Sequence, residues 1–336
     1  MGHIMKKVVW GVLSTARIGT TKVIPGLQKS SWCDVRAIAS RSLESARLAA
    51  DKLGIEHAYG SYEALLADPD IEVIYNPLPN HLHVPLTLQA AEAGKHVLCE
   101  KPLALTTEDA ERLRAASGRV HIMEGVMVRF HLQWLRAREL VRSGELGELR
   151  SVQAFFSYFN NDPANIRNKP DIGGGALFDI GCYPIVAGRF LFDAEPQRVI
   201  ALFDRDPTFG TDRTTSALVD FGQGRRLDFT VSTQSTPYQR MNLVGTRKRL
   251  ELRIPFNAPP DRATTLMLDD GSQPGDASAQ AETVAPCDQY TLQGDAFSRA
   301  VRGDIELPYG VDDAVRNIRV IEAMFRSESS GRWEVV

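Results

Sequence analysis

At 336 residues, against a typical domain of about 150, the chain has room for two domains. Its 43% hydrophobic and 24% charged residues are those of an ordinary globular protein and argue against long disorder, collagen-like repeats or a disulfide-packed miniprotein. Lys and Arg number 39 against 42 Asp and Glu, a formal charge of -3, so there is no basic field for nucleic acid.

Met1-Gly2-His3-Ile4 ahead of Met5 reads as an appended remnant. From there to about residue 125, short apolar runs alternate with helical patterns. The runs are Lys6 to Leu13, Val35 to Ala39, Ile71 to Tyr75, His96 to Cys99 and Val120 to Met123. They are apolar throughout, as buried parallel strands are, and all are far shorter than a membrane span. Between them, Ser42 caps a helix whose Leu43, Ala46, Ala49, Ala50 and Leu53 share a face, and Gly54 stops it. A second helix through Leu86 to Ala93 closes at Gly94. A third opens at Thr107 with Glu108 and Asp109 and closes at Gly118. Pro25 lies too far inside the first helix to be neutral, so that helix is expected to be short or kinked. The alternation predicts an α/β fold with a doubly wound parallel sheet, assigned to residues 5–125.

The character changes over 126–336. A helix from His131 to Arg142 ends at Ser143-Gly144. Looser strands follow at Leu149 to Phe159, Val199 to Phe203, Ala217 to Phe221, Arg226 to Ser232, Arg240 to Gly245 and Arg249 to Ile254. The turn Phe221-Gly222-Gln223-Gly224 suits a hairpin. Asp269 to Pro286 reads as a long surface connection, and Val311 to Phe325 as a helix. This half is expected to be an α+β domain with an open, mainly antiparallel sheet. The four cysteines (Cys33, Cys99, Cys182, Cys287) are scattered without metal-ligand spacing, and no secretory leader is evident, which together suggest a reduced, cytoplasmic setting.

Chemistry concentrates at the ends of the first-half strands. Gly11-Val12-Leu13-Ser14-Thr15-Ala16-Arg17-Ile18-Gly19 joins the first strand to a helix, where a dinucleotide fold brings backbone against a pyrophosphate. Only Gly11 fits the usual fingerprint; Ser14 and Ala16 stand where glycine is commoner. The alternative is a tight turn with no ligand. Ser40-Arg41-Ser42, after the second strand, puts a cation and two hydroxyls where NAD-specific folds place an acid. That favours a 2′-phosphate, hence NADP(H) over NAD(H), unless Arg41 is merely solvated and Ser42 merely a cap. Leu78, Pro79, Asn80 and His83 follow the Ile71 strand, and Glu100-Lys101-Pro102 follows the His96 strand. A surface turn would have the same composition. His81 and His83 have no third ligand nearby, so no metal is expected. In the second half, Gly173-Gly174-Gly175 leads into a helical pattern carrying Asp179 and Tyr183, four apart and so on one face. A carboxylate and a phenol make a substrate anchor and a proton donor, or else a cap and a packing tyrosine.

Taken in order, Gly11–Gly19, Pro79-Asn80-x-x-His83, Glu100-Lys101-Pro102, Gly173-Gly174-Gly175, Asp179-x-Gly181-x-Tyr183 and the closing Ser-Ser-Gly-Arg-Trp (329–333) resemble the glucose–fructose oxidoreductase / inositol dehydrogenase / MocA family. Tyr183, where many members have histidine, together with Trp10-Gly11 and Ser40-Arg41, resembles the branch with NADP-dependent xylose dehydrogenase and dimeric dihydrodiol dehydrogenase. The resemblance implies a catalytic set of Lys101, Asp179 and Tyr183, and a Rossmann cofactor site that includes Arg129. It also implies substrate contacts from Arg167, Asp179 and Tyr183. A homodimer, or a tetramer, is expected through the second domain's sheet, with a sugar or polyol as the small-molecule partner and neither nucleic acid nor membrane. The expected activity is an NADP(H)-dependent aldose 1-dehydrogenase. The alternatives are a ketosugar (sugar-nucleotide) reductase, a trans-dihydrodiol dehydrogenase and, in a different class, a non-catalytic NADP-sensing protein. A free tyrosine titrates near ~10, so Lys101 and the nicotinamide cation would have to lower Tyr183 for base work near neutrality.

Overall fold

The structure, a computed structural model, describes residues 6–336. Met1–Ile4, expected to be an appended remnant, and Met5, the expected first residue of the first domain, lie outside the described residues. The chain forms two compact units. One runs up to Met127 and takes in Asp288–Val315; the other comprises Val128–Cys287 and Arg316–Val336.

In the first unit, β1 (Val8–Leu13), β2 (Cys33–Ala39), β3 (His57–Tyr59), β4 (Val73–Asn76), β5 (His96–Cys99) and β6 (Ile122–Glu124) form one parallel sheet in the order β3-β2-β1-β4-β5-β6. The order reverses between β1 and β4, and open sheets of this kind bind ligands beyond the strand C-termini at such a switch point. Every residue of β1 and β4 is buried, which accounts for their continuous apolar sequence. The short edge strand β3 is half exposed and has no apolar run to mark it.

The helices here are α1 (Ile24–Gln28), α2 (Leu43–Leu53), α3 (Tyr62–Leu66), α4 (His83–Glu92) and α5 (Thr107–Ser117). Ser42 caps α2 by accepting from the Ser45 amide, and Gly54 ends it at φ 65°. Pro25 has the effect expected of it. A π turn, Gly19–Val23, precedes an α1 of only five residues. The cap of α5 is Thr106, which accepts from the Asp109 amide, and not Thr107, which is the first helical residue.

The second half does not run continuously over 126–336, because Asp288–Val315 returns to the first unit. There the Trp10 Nε1 donates to Ser298 Oγ at 3.1 Å, and Phe297 packs on the indole with ring centroids 5.7 Å apart. No element is expected from the sequence over 289–301, where the chain forms a helix.

In the second unit, α6 (Leu132–Arg142) and α7 (Cys182–Phe192) accompany a nine-stranded sheet. Its strands are β7 (Leu149–Phe159), β8 (Arg198–Arg205), β9 (Asp212–Asp220), β10 (Arg226–Ser232), β11 (Gln234–Gly245), β12 (Arg249–Leu252), β13 (Thr264–Asp269), β14 (Gln280–Val284) and β15 (Glu334–Val335). The order is β14-β13-β12-β11-β7-β10-β9-β8-β15, antiparallel except where β7 and β10 run parallel. The stretch read as a surface connection contains β14. Its residues are mostly exposed at the sheet edge, so no apolar pattern betrays it. Of the last two helices, α8 (Gln289–Val301) lies in the first unit, while the first five residues of α9 (Val311–Ser330) fall in the first unit and the rest in the second. Residues 170–192 are apolar and long enough to cross a membrane by composition, but 89% of that window is buried, as befits a core helix. All eleven residues of α7 are buried.

Candidate active site

The first unit's ligand edge is built by turns that each satisfy their own backbone. Leaving β1, Ser14 takes φ 76°, donates its amide to Ala39 O at 2.8 Å and accepts the Ala16 amide on its hydroxyl at 3.2 Å. This left-handed backbone is what glycine does cheaply, so serine here carries a cost of about 1–2 kcal/mol. Ser14, Thr15, Ala16, Arg17 and Ile18 are all at least partly exposed, where the chain passes from β1 into helix. Gly11 is different. It is buried within β1, and a Cβ there would stand 2.9 Å from Leu65 and 3.1 Å from Ile71. The glycine expected to admit a cofactor instead admits core side chains.

Arg41 follows β2, is exposed, and makes no ion pair among the described residues. Ser40 Oγ accepts the Ser42 amide at 3.3 Å, while Ser42 Oγ is occupied in capping α2. Two serine hydroxyls thus flank an exposed cation.

At the next two strands, Tyr75 Oη donates to Glu100 Oε1 at 2.7 Å, and burial beside that carboxylate holds the phenol well above its ordinary pKa. Pro79, Asn80, Glu100 and Lys101 are partly exposed, whereas Leu78 is buried. The Lys101–Pro102 peptide is cis. His83 is not on the surface at all. It is fully buried, its Nε2 2.6 Å from Leu78 O and its Nδ1 2.7 Å from Pro102 O. Burial lowers its pKa to about 4 against the pull of both carbonyls, so near neutrality the ring is uncharged and one nitrogen donates. His83 thus lies buried between Leu78 O of the loop after β4 and Pro102 O of the loop after β5. Asn76 adds a bond from Nδ2 to His83 O at 3.2 Å.

The second unit carries the other candidates. Gly174 and Gly175 donate their amides to Lys169 O and Arg167 O at 2.9 and 2.8 Å, folding the glycine turn onto the Arg167 segment. A Cβ on Gly174 would lie 2.6 Å from both carbonyls, so no side chain fits there. Leu177–Gly181 is a π turn that continues into α7. Such turns recur at functional sites. It replaces the regular helical step assumed between Asp179 and Tyr183. Arg167 Nε meets Asp179 Oδ2 at 2.9 Å, and Tyr158 Oη donates to the same oxygen at 2.5 Å. Arg167 is raised above its ordinary pKa by Asp179 first, with Tyr158 and Tyr183 also acting on it. Burial first, then Asp179, pushes the Tyr158 phenol far up, so it stays protonated. Tyr183 is buried, its ring 6.0 Å from Phe156 and 5.7 Å from Phe256. Arg129, expected near the cofactor, is only 3% exposed and lies in the short turn Met127–Phe130.

Tyr158 is the member that sequence reasoning missed. The two-residue alternation of β7 puts Val152, Ala154, Phe156 and Tyr158 on one face, and that periodicity was the available signal. No group of three His, Cys, Asp or Glu placed to hold a metal occurs among the described residues.

A parallel sheet with an open ligand edge, paired with a mainly antiparallel unit bearing a fixed carboxylate, defines a two-unit oxidoreductase. Residues 8–128 match the oxidoreductase family with NAD-binding Rossmann fold, and residues 134–251 match the GFO/IDH/MocA C-terminal domain. The chain belongs to the GFO/IDH/MocA oxidoreductase family. It is 48% identical over 335 residues to an uncharacterized oxidoreductase, ORF334, of Rhizobium meliloti, covering 99% of this chain and 100% of that one. It is 38% identical over 329 residues to D-xylose 1-dehydrogenase (NADP(+)) 2 of Haloferax volcanii, covering 96% and 98%. A solved 3-ketoreductase, KijD10 from Actinomadura kijaniata in complex with NADP and TDP-benzene, superposes with a TM-score of 0.89 at 28% identity, covering 96% and 98%.

Buried His83 has a pH signature. An unfolded histidine takes its proton near 6.5, the folded one only near 4, so stability present above 6.5 is lost as pH falls to 4. The size is on the order of 3 kcal/mol. His96, also lowered to about 4, adds to the same window. In His83→Asn the fall in Tm between pH 6.5 and 4 should become shallower, while Tm at pH 7.5 drops. Thermal melts across that range check both, and an unchanged slope would show that His83 does not titrate there.

Proposed function

We propose that the protein is an NADP(H)-dependent oxidoreductase acting on a carbinol carbon of a sugar or cyclic polyol, most specifically an aldose 1-dehydrogenase. The observation that carries this reading is the Asp179 carboxylate, held by Arg167 and Tyr158 in the unit that also bears Tyr183. A fixed acceptor together with a phenol suits a ring with adjacent hydroxyls. Near-full-length similarity to a protein named D-xylose 1-dehydrogenase (NADP(+)) supports the substrate class and the cofactor. Similarity to a 3-ketoreductase supports a second reading, reduction of a ketosugar. The four cysteines are free thiols, which suits a reducing, cytoplasmic setting.

The residues present fit the dinucleotide. Exposed Arg41 between Ser40 and Ser42 matches a 2′-phosphate, and the partly exposed Ser14–Ile18 turn matches a pyrophosphate. Pro79, Asn80, Glu100 and Lys101 would border its nicotinamide half. When bound, the nicotinamide supplies or accepts the hydride. Asp179 accepts a hydrogen bond from a substrate hydroxyl, and Tyr183 takes or returns the proton of the reacting hydroxyl. The resemblance gives Lys101 the task of favouring the phenolate by its charge. Tyr158, held protonated, orients Asp179.

Three measurements test the reading. Arg41→Asp should weaken NADP by about 2 kcal/mol or more while leaving NAD nearly untouched; equal losses for both in binding titrations would remove the 2′-phosphate assignment. Tyr183→Phe should cut turnover of an aldose panel about 100- to 10,000-fold with cofactor affinity kept. Lys101→Ala should cost a similar factor, and the double variant far less than the product of the two. A wild-type protein that binds NADP tightly and turns over no aldose, ketosugar or diol would be a sensor. The third measurement concerns assembly. The sheet face carrying Phe159, Leu202 and Tyr238 leaves these side chains 60%, 76% and 48% exposed, an apolar surface that suits a second copy of the chain. Sedimentation at micromolar concentration should give a dimer or tetramer; a monomer would contradict that assignment.

A further inference from the structure

We propose that Asp212 is a positioning residue that sets the geometry of Asp179 and Arg167 through the glycine turn between them. Asp212 opens β9, is 2% exposed, and belongs to none of the motifs that suggest the activity. Its Oδ2 accepts the Leu177 amide and the Thr215 hydroxyl, each at 2.8 Å. Its Oδ1 occupies the space a side chain at position 175 would need, since a Cβ on Gly175 would stand 1.9 Å from it. Gly175 itself sits at φ 117°, backbone that other residues rarely adopt.

That peptide unit carries both functional residues. The Gly175 amide donates to Arg167 O at 2.8 Å, and Gly175 O accepts the Asp179 amide at 3.1 Å. Leu177 is the first residue of the π turn that bears Asp179. One carboxylate therefore bonds the backbone after Ala176 and packs against the glycine before it, and from that glycine hydrogen bonds run to the arginine and to the aspartate it pairs with. A shift of Asp212 would be transmitted to the Arg167–Asp179 pair, where a misplacement of about 1 Å can cost 100-fold in rate.

Shape alone would be served by asparagine, which also avoids burying a charge. The carboxylate is disfavoured as an ion by burial, which raises its pKa to about 6, while the Leu177 amide, Thr215 and then Arg205 on β8 favour the charged form. Arg205 is itself paired with Glu328 of α9. Asp212 is thus a charge kept near neutral pH at a cost to stability, the pattern of a group held for geometry.

The role in turnover rests on the functional reading above, so the experiment has an arm free of it. Amide hydrogen exchange over 175–183 is measured on the full-length protein at pH 5 and 7.5, corrected for intrinsic rates, for wild type, Asp212→Asn and Thr215→Val. Aldose kcat and NADP affinity are measured alongside. Asp212→Asn should exchange faster at pH 7.5, keep its Tm and NADP affinity, and lose about tenfold or more in kcat. Wild type should exchange faster at pH 5 than at 7.5, and the asparagine variant should not. Thr215→Val, which leaves the Leu177 contact, should move in the same direction by less and serves if the asparagine variant does not fold. Unchanged exchange in a folded variant overturns the proposal, as does faster exchange with wild-type kcat. Should wild type turn over no aldose, the functional reading fails and exchange alone decides the role of Asp212.

Discussion

A carboxylate taken out of water stays ionised only where donors replace the water, and Asp179 meets that demand with one guanidinium and one phenol. Much of the second unit follows from supplying them. Tyr158 comes from near the end of β7, where alternation turns it toward the same side as Phe156. Arg167 comes from a loop that must fold back sharply, and the glycine turn folds it by giving two amides to the carbonyls of Lys169 and Arg167. The π turn at Leu177–Gly181 then resets the helical phase before α7 enters the core. The triple glycine thus serves the approach of one backbone segment to another, and the arginine it positions is what the carboxylate needs.

The first unit treats its polar groups differently. At the edge beyond β4 and β5, Asn76 and His83 are buried and uncharged, and they bond chiefly to main-chain carbonyls. Neutral groups satisfied by backbone cost little to bury and tie loops together with fixed lengths. Beyond β2, the sheet presents Arg41 as an exposed cation flanked by hydroxyls. A charge left in solvent is available to a phosphate, whereas one committed to a buried pair is not.

Local chemistry made much of this legible. Ser42 as cap and Gly54 as stop of α2, the disruption at Pro25, and the strands β5, β7 and β10 follow from propensity, capping and burial that act over a few residues. What stayed hidden depends on partners far away in the chain. The edge strands β3 and β14 bury too little to show an apolar pattern. The segment 288–315 carries no mark of the unit it returns to. At the candidate site, motifs gave residue types and loop positions but not the direction of a side chain. Gly11, His83 and Arg129 fall within family-like stretches, yet each is buried. Tyr158 is the opposite case, an unremarkable strand residue whose hydroxyl ends on the key carboxylate.

An ion pair such as this, with a largely buried carboxylate and a partly exposed arginine, adds little net stability, because desolvation and solvent screening offset attraction. What it gives instead is a charge distribution fixed before substrate arrives. Donors already aimed at Asp179 need not reorganise as a hydroxyl is bound, which is where preorganised sites gain over water. The same arrangement divides the labour between two tyrosines. A phenol donating to a carboxylate resists losing its proton, and Tyr158 is driven far above the ordinary tyrosine range on that account. It can orient but not exchange. In the proposed reaction the moving proton therefore falls to Tyr183, whose ring is set by Phe156 and Phe256 and which lies close enough to Arg167 to bear on its charge.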